Sequence, residues 1–424
     1  MNILLVNHYA GSLRHGMEFR PFYLAREWWR LGHHVTMVAA SWSHVRAVQP
    51  DLAGHGLERR ETIDGLDYRW LRTPRYRGNG VGRVVNIAAF LLQLAWKSRA
   101  LVAERRPDVV IASSTYPLDI WVARRIARLA GARLVYEVHD LWPLSPIEIG
   151  GMSRQHPFIR LCQKAEDDAY RDADTVISML PRVLDHMTRH GLDPARLHIV
   201  PNGIDPDEWN RETPLADGPL AAHLQTARAA GRTVVGYAGS HGKPNALDTL
   251  LDTAARLRDA SLAFVLVGGG HERARLQRRV AEEGLSNVAM FPPVPKAQIP
   301  ALLRSFDIAY IGWERQPLYR FGIAPNKLLD YMMAARPVLH AVEAGNDPVG
   351  EAGCGLTVPP DDPEAIAAGL LHLAALGPDE RRALGKRGRA YVMARHTYPL
   401  LAQRFLEAVQ PGSSVVLPGS GSGR

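Results

Sequence analysis

The chain has 424 residues, of which 46% are hydrophobic, 22% charged and 7% aromatic. That length suits two or three domains of roughly 150 residues each, and the composition excludes collagen-like, disulfide-scaffold and wholly disordered classes. Lys plus Arg is 51 and Asp plus Glu is 43, a formal charge of +8. The basic excess is densest over residues 59–106. It could attract an anionic partner such as lipid headgroups, diphosphates or nucleic acid, or form a solvated arginine-rich face.

The elements follow in chain order. Residues 2–7 (NILLVN) read as a strand; a charged n-region and a long apolar run are both missing, so a signal peptide is not expected. A helix over 16–31, strands at 34–39 and 68–71 and a long helix over 82–105 come next. The greasiest stretch, VVNIAAFLLQLAW at 84–96, is interrupted by Asn86 and Gln93 and falls short of the ~20 residues that span a bilayer. Then come a strand at 108–113, a helix at 118–130, and strands at 133–140 and 175–180. Strand then helix, repeated, predicts a parallel sheet covered on both faces.

A second series has strands at 233–240, 263–270, 288–294, 307–313 and 336–342, with helices over 245–260, 271–283 and 300–305 between them. The expected fold class is therefore α/β, with two Rossmann-like doubly wound domains. Their boundaries are expected at 1–205 and 206–387, with the Pro-, Asp- and Gly-rich stretch 201–219 as junction. A C-terminal helix over about 388–410 is expected to pack back on the first domain, and the tail at 412–424 is expected to be disordered. Ligands of such sheets bind at the carboxyl ends of the strands, and two domains facing across a cleft suit an enzyme joining two substrates. Cys162 and Cys354 have no CxxC or metal spacing and read as buried free thiols.

Several chemistries find no support. GxGxxG after the first strand, GxxxxGK[ST], HExxH and GxSxG are all lacking. The two D-x-D matches, Asp172 with Asp174 and Asp205 with Asp207, read as loop or cap carboxylates. What remains is a set of strand-end loops. YAGSHGKP brings Gly239, Ser240 and Gly242 before a helix, where backbone amides and Lys243 could hold a diphosphate; a plain glycine-rich loop is the alternative. In IAPNKLLDYMM, Asn326 marks a helix start, with Lys327 and Asp330 one turn apart; they could bind phosphate and ribose, or form a surface ion pair. His139 and Asp140 end the strand in EVHD, where an imidazole could meet a substrate or serve as a structural residue.

Taken in order, the first glycine-bearing loop, VHD, VPNGID, YAGSHGK, LVGGGHERARL, PNKLLDYMMAARPVL and GCGLTVPPDDPEAIA resemble the retaining nucleotide-sugar glycosyltransferases of family four, which have the GT-B fold. The resemblance spans residues 1 to about 410. It is strongest to the branch that builds bacterial surface polysaccharides, including N-acetylfucosaminyl transferases. It implies a donor site on the second domain: Ser240 and Lys243 on the phosphates with Lys327 assisting, Asp330 on the ribose, Asn326 beside them and the backbone at Val294 on the base. It implies that His139 touches the transferred sugar and that Gly11, Ser12 and Gly16 lie near the diphosphate and acceptor. The family's first motif glutamate falls at Gly322, so the sugar contacts it normally makes must come from elsewhere.

The resemblance implies transfer with retention, without a metal cofactor. The donor is expected to be a UDP-linked N-acetylated hexosamine or deoxyhexosamine. The acceptor is expected to be a saccharide or a polyprenyl-diphosphate lipid, with segment 72–106 docking at the inner face of the plasma membrane of a cytoplasmic protein. No nucleic-acid module is recognisable. Rival readings are a nucleotide-sugar 2-epimerase of the same architecture and a non-catalytic nucleotide-sugar-binding protein.

Overall fold

The computed structural model describes residues 1–16, 19–54, 56–78, 80–211 and 213–410. The chain forms two compact units, Met1–Asn202 joined by the returning chain from Tyr398, and Gly203–Thr397. The expected tail at 412–424 lies outside the described residues.

The first unit holds β1 (Asn2–Val6), β2 (His34–Ala40), β3 (Glu58–Ile63), β4 (Leu66–Leu71), β5 (Val109–Ala112), β6 (Arg133–Val138), β7 (Thr175–Ser178) and β8 (Leu197–Ile199). They form one sheet in the order β3-β4-β2-β1-β5-β6-β7-β8. Every neighbouring pair is parallel except β3 with β4. Helices on both faces explain why β5 is a continuous apolar run, all of it buried. The charged β3, ERRETI, does not read as a strand. It is an edge strand made by a hairpin whose Asp64 and Gly65 both have positive φ, the backbone that an Asp-Gly turn adopts.

The second unit holds β9 (Thr233–Ala238), β10 (Leu262–Val267), β11 (Val288–Phe291), β12 (Ile308–Gly312), β13 (Val338–Ala341) and β14 (Gly355–Val358). Their order is β11-β10-β9-β12-β13-β14, wholly parallel. This is the doubly wound order that reverses direction between its first and fourth strands. Two apolar cores, one on each face, close the sheet.

The expected single helix over 388–410 is two. One helix, Pro378–Arg395, stays in the second unit; the other, Tyr398–Val409, packs on the first. Pro399 explains the break: it has no N–H to donate, and its ring would clash with the carbonyl of Arg395 in a continuous helix. Trp28 and Phe405 then meet with ring centroids 4.9 Å apart, and Trp28 Nε1 donates to the Ala402 carbonyl at 3.1 Å.

Candidate functional site

In the second unit the sheet order reverses between β9 and β12, so the loops leaving these strands flank the position where such sheets bind ligands. Tyr331, on helix Asn326–Met333, ties that helix to the end of β9: its hydroxyl accepts from the Ala238 amide at 2.9 Å and donates to the Ala238 carbonyl at 3.2 Å. The helix thereby brings Lys327 over the loop. Lys327 Nζ donates to Tyr237 Oη at 2.8 Å and to Asn245 Oδ1 at 2.7 Å, and lies 4.4 Å from the Tyr237 ring centroid. A Cβ at Gly239 would sit 2.6 Å from Lys327 Cε, so a side chain there would push the lysine off this position. No carboxylate pairs with Lys327 among the described residues, and burial lowers its pKa to about 7.

The alternative of a Lys327–Asp330 ion pair is not what forms. The Asp330 carboxylate has no hydrogen-bond partner among the described residues. Burial raises its pKa to about 7, opposed by Lys296 and reinforced by Glu208. Lys243, by contrast, is exposed. It starts a short 3₁₀ turn, Lys243–Asn245, and Ala246, at φ 46°, separates that turn from helix Leu247–Arg256. The loop therefore does not open directly into the helix expected over 245–260. The Ser240 side chain is exposed, while its carbonyl accepts from Tyr237 Oη at 2.6 Å and Asn245 Nδ2 at 3.0 Å. Asn326 is exposed at the first turn of its helix, and Val294 packs partly buried against the core.

Three residues of this loop region went unnoticed in the sequence. Tyr237 and Asn245 cradle Lys327, and His241 is wholly buried with neither ring nitrogen hydrogen-bonded. Burial, with Arg273 and Lys327, lowers the His241 pKa to about 4, so the ring is neutral. Gly322 takes φ 94°, a left-handed backbone that a glutamate would strain.

In the first unit the order reverses between β1 and β5. In the loop after β1, Tyr68 Oη donates to the Gly11 carbonyl at 2.8 Å, Ser12 Oγ bonds His15 Nδ1 at 2.9 Å, and the Gly16 amide donates to the Ser12 carbonyl at 3.2 Å. The Ser12 hydroxyl is buried in this local turn. His139, just past β6, lies with Nε2 2.9 Å from Ser113 Oγ and 3.3 Å from Glu137 Oε2. Glu137 is fully buried and paired to buried Arg20 at 2.9 Å. Burial pushes its pKa up, but Arg20, His139 and Ser113 prevail and hold it at about 2. The signal for this group was a glutamate within the buried stretch Leu134–Val138 of the strand RLVYEV, where a charge demands a partner.

The remaining candidates behave as caps or ion pairs. Asp205 caps helix Pro206–Asn210, and Asp174 accepts from the Leu134 amide at 2.8 Å. The thiols of Cys162 and Cys354 are free and buried. Among the described residues, Glu166, Asp167 and His190 form the one group spaced for a metal. His190 Nδ1 there lies 2.9 Å from Asp167 Oδ1, and the Gln163 amide donates to both carboxylates. No helix among the described residues is long and apolar enough to cross a membrane.

Two family profiles match in tandem: a glycosyl transferase 4-like domain over residues 15–203 and the glycosyl transferases group 1 domain over residues 232–375. The chain belongs to the family-four glycosyltransferases. It is similar to the probable glycosyltransferase WbjE of Pseudomonas aeruginosa, 23% identical with 82% of this chain and 85% of that protein covered. It is also similar to the putative colanic acid biosynthesis glycosyl transferase WcaI of Escherichia coli K12, 25% identical with 64% and 67% covered. Among solved structures it resembles sucrose-phosphate synthase from Thermosynechococcus elongatus, with TM-score 0.67, 19% identity and 96% and 97% covered. It likewise resembles Anabaena HepE in complex with UDP-glucose, with TM-score 0.63, 16% identity and 96% and 98% covered. The fold is GT-B and the protein is a transferase enzyme.

Proposed function

We propose that this transferase moves a sugar, an N-acetylated hexosamine or deoxyhexosamine, from a UDP-linked donor to a lipid-linked or saccharide acceptor in surface-polysaccharide synthesis, with retention and without a metal. The observation that carries the donor site is the pairing of a half-buried, counter-ion-free lysine with a partnerless carboxylate one helical turn apart, both beside the switch point. A diphosphate supplies the charge that Lys327 lacks, and ribose hydroxyls supply the donors that Asp330 lacks. Lys243 and Ser240 border the same loop and add to the phosphate contacts, with Asn326 alongside and the backbone at Val294 meeting the base. HepE, of the same fold, was solved with UDP-glucose, which agrees with a UDP donor here.

In this reading the leaving diphosphate is stabilised by fixed amides and lysines, an electrostatic device that works without reorganisation during the reaction. His139 contacts the transferred sugar. Gly11, Ser12 and Gly16 contribute backbone to the diphosphate and acceptor side, the Ser12 hydroxyl being engaged with His15. A lipid acceptor at an anionic membrane surface draws support from helix Val81–Arg105. Its exposed face carries Val81 (79% exposed), Leu92 (71%) and Trp96 (72%), and exposed Arg75 and Arg77 precede it.

The test is a thermal-shift panel of nucleoside diphosphates and nucleotide sugars with and without magnesium, since a ligand bound only by the folded state raises the melting temperature. A metal-independent shift with UDP, weakened in Lys243→Ala and abolished in Asp330→Ala, is expected. Unchanged shifts in both variants would remove the site assignment. Shifts without turnover of any donor would favour the non-catalytic binder, and UDP-sugar inversion at C2 would favour the epimerase.

A further inference from the structure

Asn7, Ser113, Glu137 and Arg20 are all at least nine-tenths buried, and hydrogen bonds join them in series. Glu137 divides its two oxygens. Oε1 accepts from Arg20 Nε at 3.0 Å and Nη2 at 2.9 Å, and Oε2 accepts from Ser113 Oγ at 2.6 Å. With Glu137 ionised, the proton in that short contact belongs to Ser113. The Ser113 oxygen is then left only as an acceptor, from Asn7 Nδ2 at 3.1 Å and from His139 Nε2 at 2.9 Å. Asn7 is oriented by its Oδ1, which accepts from the Tyr9 amide at 3.0 Å. Every bond in the chain therefore requires a hydrogen on His139 Nε2, directed at Ser113 Oγ and Glu137 Oε2.

We propose that Glu137 is the positioning residue for His139: in the neutral ring it fixes the Nε2–H tautomer, so that Nδ1 is the hydrogen-bond acceptor for a hydroxyl of the sugar or acceptor. His139 Nδ1 makes no hydrogen bond among the described residues, and a neutral ring protonated at Nε2 can only accept there. Arg20 anchors the carboxylate. Its Nη1 and Nη2 donate to the carbonyls of Pro201 and Val200 at 2.5 and 2.8 Å, so the guanidinium cannot swing away without leaving buried acceptors unpaired. The inference rests on His139 serving as the sugar contact. The tautomer itself does not depend on that reading.

The experiment is ¹⁵N NMR of the imidazole nitrogens in histidine-labelled full-length protein, with His139 assigned by its loss in His139→Gln. In alkaline buffer, where the imidazole is neutral, wild type is expected to show the Nε2–H form. Glu137→Gln is expected to shift His139 toward the Nδ1–H form, because the Gln amide can donate to Nε2. Ser113→Ala, which leaves the buried charge pair intact, is expected to keep Nε2–H. A wild-type ring protonated at Nδ1, an unshifted tautomer in folded Glu137→Gln, or loss of Nε2–H in Ser113→Ala would each overturn the assignment. If Glu137→Gln does not fold, the wild-type and Ser113→Ala spectra still decide it. Stabilisation by UDP, measured in parallel on wild type and variants, is expected to be equal. A wild type that UDP fails to stabilise would sink the UDP donor while leaving the tautomer result standing.

Discussion

At the scale of single residues, two ionisable groups have been moved toward neutrality from opposite sides. Lys327 is lowered by burial to about 7 and Asp330 is raised by burial to about 7. For Lys327 the unfolded chain binds the extra proton between about pH 7 and the ordinary lysine range, so stability from this group rises with pH across that window and is lost as pH falls through 7. Diphosphate binding needs the ammonium form. UDP affinity is therefore expected to fall by about tenfold per pH unit above 7, the limit for one coupled proton. Lys327→Met should bind UDP weakly and without that slope in calorimetric titrations from pH 7 to 9; an identical slope in the variant would dismiss the lysine. Asp330 has the opposite sign. The folded state holds the extra proton between the ordinary Asp range and about 7, so its contribution to stability falls as pH rises through that window. Asp330→Asn should then melt higher than wild type at neutral pH, with the difference vanishing near pH 4, while losing its response to UDP. A lower melting temperature at pH 7 would contradict the burial argument.

At the scale of elements, helix Val81–Arg105 buries Ile87, Phe90, Leu94 and Leu101 on one face and leaves Val81, Val85, Leu92 and Trp96 in solvent on another. The basic residues around it are not equivalent. Arg72 donates to the carbonyls of Gly56 and Leu52, and Arg83 donates to Tyr9 Oη at 2.9 Å, so both have work within the fold. Arg75 stacks over Trp42, and Arg77 is exposed. Flotation with phosphatidylglycerol vesicles should therefore be lost in Leu92→Gln with Trp96→Gln and weakened, chiefly at low salt, in Arg75→Glu with Arg77→Glu. Flotation that survives both pairs would send the acceptor search away from the membrane.

At the scale of the whole molecule, the chain leaves the first unit after Asn202 and returns to it at Tyr398. The returning helix places Phe405 against Trp28, with Leu401, Ala402 and Leu406 buried in the same core. Removing that ring in Phe405→Ala is expected to cost about 3–5 kcal/mol, the usual range for a buried Phe-to-Ala change. Chemical denaturation should show a lower midpoint for one transition, with the UDP-responsive transition kept. A variant with an unchanged midpoint would mean that the helix contributes little.

Much of this was legible beforehand. Parallel strands buried on both faces read as continuous apolar runs, and the alternation of strands with amphipathic helices is a local signal, so the sequence alone determined two doubly wound domains and which loops leave their strands. Local patterning also marked His139, Lys327 and Asp330. It did not distinguish the half-buried Lys327 from the exposed Lys243, because the cover over Lys327 depends on Tyr331 tying its helix to the end of β9. Nor did it reveal the hairpin strand Glu58–Ile63, whose charged residues are tolerated at a sheet edge, or the break before Tyr398. The roles of Tyr237, Asn245, Glu137 and Arg20 were decided only by tertiary structure, since partners more than a hundred residues apart, such as Arg20 and Glu137, meet only when a sheet brings their strands and helices together.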